Sequence, residues 1–214
     1  GCNFPDTPAA KGGAKVFYNN IFVLENPLSE KSEWKCSGTL PAPSAYGVSL
    51  TTPEGVICIG GTDGHESAAS VLLLCYKNGE TEVKTLTPLP IPLDNMAGAY
   101  GDGYIYIAGG QSNGESSCAA FRIKLTDLMH KKDWERLPDF PGRARIQPSA
   151  AVQNNSNGYC FYLIGGFSPI ADNNRCFIHS DGLVFYPKEN RWETTSEITP
   201  NAFGSNAAIG SVAA

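Results

Sequence analysis

The chain has 214 residues, of which 23 are Gly, 15 are Pro, 17% are charged and 42% are apolar. Gly and Pro together make up about 18% of it, against an average near 12%, a density of turns that excludes a helical bundle, while the ordinary apolar share excludes disorder. Sixteen basic against 21 acidic residues give a net charge of −5, with no Lys/Arg block and no run of 18 apolar residues, so neither nucleic acid nor a membrane span is expected.

Two apolar runs, 21–25 and 34–41, open the strand pattern. From residue 46 a regular order sets in. A small-residue strand (46–50), a turn at Pro53-Glu54-Gly55 and the run Val56-Ile57-Cys58-Ile59 lead into Gly60-Gly61 and the polar loop Thr62-Asp63-Gly64-His65. Runs 70–76 and 82–86 follow, closed by Pro88-Leu89-Pro90. The order repeats as 96–100, Gly101-Asp102-Gly103, 104–108, Gly109-Gly110, the loop Gln111-Ser112-Asn113-Gly114, runs 119–125 and 134–137, and Pro138-Asp139-Phe140-Pro141. It repeats again as 149–152, a turn at 155–158, Phe161-Tyr162-Leu163-Ile164, Gly165-Gly166, the loop Phe167-Ser168-Pro169, runs 182–186 and 192–195, and Ile198-Thr199-Pro200. A last small-residue run, 203–213, reads as a first strand without its Gly-Gly partner.

The glycine pairs begin at 60, 109 and 165, intervals of 49 and 56. Four short strands per unit, with Gly-Gly, Trp and Pro in one order, are the pattern of a kelch motif, one blade of a β-propeller. The run before each glycine pair is apolar on both faces because a blade is packed between two neighbours. The tryptophan supplies an apolar body between blades, though Val83 stands in its place in the unit 42–91. The fold class is therefore all-β, a kelch-type β-propeller, with 1–214 as one domain of about four adjacent blades. Residues 1–41 form the second half of a blade, 42–91, 92–141 and 142–200 are blades, and 201–214 is the first strand of the next. This count does not close a ring, and open blade edges are expected to pair with a second copy as a homodimer. Seven Cys, at 2, 36, 58, 75, 118, 160 and 176, include no CxxC pair, which argues against a zinc ribbon or a thioredoxin-type site. Cys58, Cys75 and Cys160 lie in apolar runs and read as small core residues.

Several stretches resemble the sialic acid (N-acetylneuraminate) mutarotase/epimerase family more closely than generic kelch proteins. They are Trp34-Lys35-Cys36-Ser37-Gly38, Ala45-Tyr46-Gly47-Val48-Ser49-Leu50 and 57–61. In the family the corresponding string lies close to the C-terminus, so its place near the N-terminus here resembles the cyclically permuted branch. The opening Gly1-Cys2-Asn3-Phe4-Pro5-Asp6, with Gly12-Gly13 and Lys15-Val16, resembles the same branch. The resemblance is strong over 1–61 and mostly generic kelch beyond about 92. It implies a six-bladed propeller of which this chain is about two-thirds. It also implies an isomerase that interconverts the α and β anomers of N-acetylneuraminate without metal or other cofactor, in a periplasmic or exported setting. The family's G-E-x-x-P-G-x-R-T segment, which carries acid/base chemistry and carboxylate binding, would follow Ala214 and is not in this chain. No catalytic residue is assigned on this basis, and the fragment is expected to be weak or inactive.

Mutarotation needs a base for the anomeric hydroxyl proton, an acid for the ring oxygen, and room for the opened chain to rotate. Sialic acid adds a carboxylate, for which an Arg fork is the expected anchor. In a propeller the first strand of each blade lines the channel, so the residues leading into it are the candidates for substrate binding: Tyr46, Asn95, Arg145 with Gln147, and 201–206. Arg145 is the expected carboxylate anchor, and Tyr46, Asn95 and Gln147 the expected partners of sugar hydroxyls. The loops after the glycine pairs add Asp63, His65, Gln111 and Ser112, with Asp63, His65 and Glu66 forming a short titratable cluster that reads as a solvated loop. His130 reads as a blade-edge turn, and the three His have no ligand spacing for a metal. Ser/His/Asp hydrolysis lacks a G-x-S-x-G elbow. The competing function is a non-catalytic kelch module that binds protein or glycan through its outer loops.

Overall fold

Each run of alternating apolar residues between turn signals becomes one strand of an antiparallel meander. The computed structural model describes residues 1–170 and 175–197. A ribbon of β1 (Cys2–Asn3) and β2 (Val16–Phe17) encloses a short 3-10 turn, Ala9–Lys11. Next come β3 (Asn20–Leu24) and β4 (Trp34–Thr39), paired with a bulge between Ile21 and Phe22. The first four-stranded sheet is β5 (Val48–Thr52), β6 (Gly55–Ile59), β7 (Val71–Lys77) and β8 (Glu80–Thr85), in that spatial order. The second is β9 (Ala97–Gly101), β10 (Tyr104–Ala108), β13 (Ala120–Lys124) and β14 (Glu135–Leu137). Between β10 and β13 a small ribbon, β11 (Gln111–Ser112) and β12 (Glu115–Ser116), projects from the blade, and helix α1 (Leu125–Met129) follows β13. The third sheet is β15 (Ser149–Asn155), β16 (Gly158–Ile164), β19 (Gly182–Tyr186) and β20 (Arg191–Thr194), with the ribbon β17 (Phe167–Ile170) and β18 (Arg175–Ile178) inserted after β16.

The three innermost strands stand side by side, β9 lying against both β5 and β15. Their turns use residues that accept positive φ, as in Asp102-Gly103 (φ 49° and 74°) between β9 and β10 and Asn78-Gly79 (φ 53° and 89°) between β7 and β8. Strand alternation then divides the core. Ile105 and Ile107 of β10 face the first sheet and pack with Ile57, Ile59, Val71 and Leu73. Tyr106 and Ala108 of the same strand face the third sheet and pack with Phe161, Leu163, Leu183 and Phe185. Each fully buried isoleucine contributes about 2 kcal/mol of hydrophobic stabilisation. Tyr106 stacks on Phe161 at 5.1 Å between ring centroids, and Trp192 meets Phe140, Phe161 and Phe185.

The tryptophans also join the blades by hydrogen bonds. Trp134 Nε1 donates to the Thr87 carbonyl at 3.2 Å, and Trp192 Nε1 donates to the Pro138 carbonyl at 2.8 Å. Thr87 and Pro138 hold equivalent places at the closing segments of successive sheets. Trp34 is 67% exposed, with no sheet on its far side among the described residues.

Both glycines of every pair adopt positive φ. The second glycine also ties blades together: Gly61 N–H donates to the Leu93 carbonyl and Gly110 N–H to the Arg145 carbonyl, both at 2.9 Å. A Cβ on Gly110 would lie 2.3 Å from the Asp94 carbonyl oxygen, so only glycine fits. The expected final strand at 203–213 lies outside the described residues. The ribbons and α1 were not expected, although Asn113-Gly114 at the tip of β11–β12 is a hairpin signal (φ 48° and 89°). No helix among the described residues is long and apolar enough to cross a membrane.

Candidate functional site

Two residues ahead of each inner strand, the three blades place Tyr46, Asn95 and Gln147 in the same strained conformation. Their φ values are 59°, 53° and 51°, the left-handed region that non-glycine residues seldom occupy. Asn95 N–H donates to the Tyr46 carbonyl and Gln147 N–H to the Asn95 carbonyl, each at 2.8 Å. Gln147 Nε2 donates to Asn95 Oδ1 at 2.9 Å. The three side chains therefore form one arc. Below them is a channel of about 780 Å³ walled by the inner strands. Above them is a mouth of about 560 Å³ walled by the loops after the glycine pairs. Tyr46, Asn95 and Gln147 line both spaces, so they form the neck between channel and mouth.

A buried carboxylate holds the neck from behind. Asp94, 3% exposed, accepts from Gln111 Nε2 at 2.9 Å and from Asn95 Nδ2 on one oxygen, and from Ser67 Oγ on the other. Ser67 and Asn113 are joined reciprocally: Ser67 N–H donates to Asn113 Oδ1 and Asn113 N–H to Ser67 Oγ, at 2.9 and 2.7 Å. Both Asp94 oxygens are thus committed to positioning neighbours, which fixes how the Asn95 and Gln111 amides face.

A cation stands at the mouth. Lys15, just before β2, donates from Nζ to the Tyr46 hydroxyl at 2.7 Å. Its ammonium lies 4.9 Å from the Tyr46 ring centroid and 5.6 Å from that of Phe4. The hydrogen bond to Tyr46 holds the lysine above its ordinary value, and therefore charged.

Arg145 does not reach this site, which corrects the expectation that it anchors a carboxylate. Its side chain is 2% exposed and lines neither the channel nor the mouth. Nη1 donates to the Gly165 carbonyl and Nη2 to Asp181 Oδ2, both at 3.2 Å. The reason is register. Gly61 bonds the carbonyl of Leu93, and Gly110 bonds the carbonyl of Arg145, so Arg145 occupies the place of Leu93, between blades. Two residues later, Gln147 faces the neck.

The remaining candidates divide. His65, Glu66 and Gln111 line the mouth. Asp63 instead caps its own loop, accepting from the His65 and Glu66 amides at 2.8 and 3.1 Å, which lowers its pKa. Ser112 pairs with Glu115 in the β11–β12 ribbon and is not at the mouth. His130 bonds the Thr126 carbonyl at the end of α1. Positions 201–206 lie outside the described residues. Among the described residues no three His, Cys, Asp or Glu side chains converge as a metal site, and all seven cysteines are free.

Sequence reasoning missed Lys15, Asp94 and Ser67. Asp94 carried a signal: it holds the place of Ala45 and Ile146, a charge where the other repeats are apolar. Lys15 carried none, because a ribbon 31 residues upstream of Tyr46 delivers it.

No family model matches the chain. A protein named N-acetylneuraminate epimerase from Salmonella arizonae is 31% identical over 117 residues, covering 54% of this chain and 28% of that protein. Its namesake from Salmonella typhimurium is 29% identical over 135 residues, covering 61% and 32%. Another, from Yersinia pestis, is 31% identical over 77 residues, covering 36% and 18%. The matches thus span about three-tenths or less of these relatives' lengths. Among solved structures, YjhT superposes with a TM-score of 0.60 at 14% identity, over 83% of this chain and 52% of YjhT. This chain's successive four-stranded sheets around a channel, and the fold it shares with YjhT, make it a kelch-type β-propeller, similar in sequence over part of its length to proteins named N-acetylneuraminate epimerase.

Proposed function

We propose that the mouth above Tyr46, Asn95 and Gln147 binds N-acetylneuraminate, and that the protein exchanges the sugar's α and β anomers. The observation that carries this reading is the neck itself. Three repeat-equivalent polar side chains meet where a wide mouth narrows into a channel. The names of the sequence relatives supply the substrate class.

In this reading the neck amides and the Tyr46 hydroxyl hold the sugar's hydroxyls. The mouth gives the ring-opened form room to rotate before it recloses. Asp94 acts as a strut, since both its oxygens already accept hydrogen bonds. His65 and Glu66 are the titratable groups on the rim, on a loop set by Asp63. The periplasmic or exported setting implied by the resemblance is part of the same proposal.

The test is proton NMR exchange between the two anomers, with and without the chain. Acceleration that Gln147→Ala reduces roughly tenfold or more supports the reading, since a buried hydrogen bond to substrate is worth about 1–2 kcal/mol. Binding without acceleration selects a non-catalytic glycan-binding module, which the full commitment of the Asp94 carboxylate favours. No binding refutes both.

A further inference from the structure

We infer that Lys15 is the cation that receives the carboxylate of the acid sugar at the mouth. The inference rests on the proposed sialic acid reading, and it assigns the charge recognition that Arg145 does not perform. Three observations carry it.

First, Lys15 is held in place by backbone structure rather than by its own flexible stem. Gly1 N donates to the Ser44 carbonyl at 2.6 Å, Tyr18 N–H to the Gly1 carbonyl at 2.8 Å, and Ser44 N–H to the Tyr18 carbonyl at 3.2 Å. The β1–β2 ribbon is thereby pinned two residues before Tyr46. Tyr18 Oη adds a bond to Asn3 Oδ1 at 2.9 Å across the ribbon. Phe17 packs against the Gly64 turn, where a Cβ would meet its ring at 2.5 Å.

Second, the ammonium is uncompensated. Among the described residues no carboxylate lies within ion-pair distance of Lys15, whereas Arg145 is paired with Asp181. Of its three N–H groups one goes to Tyr46, and among the described residues the other two have no partner and can serve a ligand.

Third, the placement matches the substrate. Lys15 and Tyr46 share the mouth with Asn95 and Gln147, so an anion at the ammonium puts the adjoining anomeric carbon beside the neck. The Tyr46 hydroxyl, which accepts from Lys15, keeps its own proton to donate to the same carboxylate or to the neighbouring oxygen.

The test compares N-acetylneuraminate with its methyl ester, which keeps the sugar and removes the charge. Dissociation constants are measured by ligand-observed NMR for the 214-residue chain, Lys15→Met and Lys15→Arg, with thermal unfolding midpoints matched. The wild type should prefer the acid by roughly ten- to a hundredfold, the range of one hydrogen bond to a charged group. Lys15→Met should weaken binding of the acid far more than binding of the ester, so that the preference is lost, and Lys15→Arg should keep most of it. A Lys15→Met chain that still prefers the acid overturns the assignment and leaves the sialic acid reading standing. So does a wild type that binds both forms equally. A wild type that binds neither overturns the sialic acid reading and this inference with it.

Discussion

Removing Asp181 should destabilise the fold more than removing Arg145, although the two side chains form one ion pair. The Arg145 side chain is 2% exposed and that of Asp181 27%. A guanidinium does not discharge at any ordinary pH. Asp181→Ala therefore strands a buried charge that keeps only the Gly165 carbonyl, and Nε already has no partner. Breaking a buried pair in that direction costs about 3–5 kcal/mol. Arg145→Leu leaves a carboxylate that reaches water and rehydrates. It loses two hydrogen bonds of about 1 kcal/mol each, offset by an apolar side chain in the place that Leu93 fills in the preceding blade, so the net cost is about 1–2 kcal/mol. The double variant leaves no charge stranded and should be at least as stable as Asp181→Ala alone, a coupling no smaller than the Arg145→Leu cost of about 1–2 kcal/mol. Urea unfolding of the four proteins, with equal slopes, reads these differences as midpoints. If Arg145→Leu costs as much as Asp181→Ala, the pair is not held asymmetrically and the structural role given to the Arg145 side chain is wrong.

Two further outcomes test the packing. Trp134→Val copies the residue that Val83 already places at the equivalent position. Tryptophan to alanine in a core costs about 3–5 kcal/mol and valine returns about 0.8 kcal/mol for each of two methyl groups, so urea unfolding should show a loss of about 2–3 kcal/mol; a loss below about 1 kcal/mol would mean that Trp134 does not wedge the blades. His179, 4% exposed, accepts no charge easily: burial lowers its pKa below the usual 6.5, and the nearby Arg145 lowers it further. The unfolded chain binds this proton more readily than the folded one, so the contribution is complete above pH 6.5 and is lost as the pH falls below it, by up to about 1.4 kcal/mol per pH unit. His179 Nε2 lies 2.6 Å from Ser168 Oγ, and because that hydroxyl donates to the Ala144 carbonyl, the ring N–H donates to it. His179→Gln can still donate but does not titrate, and it should show a smaller stability loss than wild type between pH 7.5 and 5.5. Equal losses in the two proteins would sink the linkage.

The blades were legible because their causes are local. An apolar run ending in Gly-Gly requires a strand packed on both faces and a turn with positive φ, and both appear at 60–61, 109–110 and 165–166. The site was legible only in part. Tyr46, Asn95 and Gln147 stand at one repeat position, and that position faces the neck in all three blades. Arg145 lies two residues before Gln147, where Leu93 lies before Asn95, and the chain's path turns it between blades. Composition marked it as an anchor, but register decided where it went. Lys15 depends on the N-terminal ribbon closing against Ser44, a long-range contact that no local pattern announces.

The neck shows how a repeat fold separates position from chemistry. Its backbone hydrogen bonds run from blade to blade through main-chain groups alone, so Tyr, Asn and Gln occupy one geometry without disturbing it. Chemistry then enters wherever a blade departs from its neighbours. Asp94 departs from Ala45 and Ile146 and ties the side chains of Ser67, Asn95 and Gln111 together at the mouth. Arg145 departs from Leu93 and, with Asp181, ties the third blade to its own post-glycine loop. The first departure faces the mouth and the second faces the core. The same kind of sequence signal, a charge where its repeat partner is apolar, therefore marks the mouth of the channel in one register and a structural pair in the adjacent one. Aligning the repeats residue by residue, and not the presence of the charge, distinguishes the two.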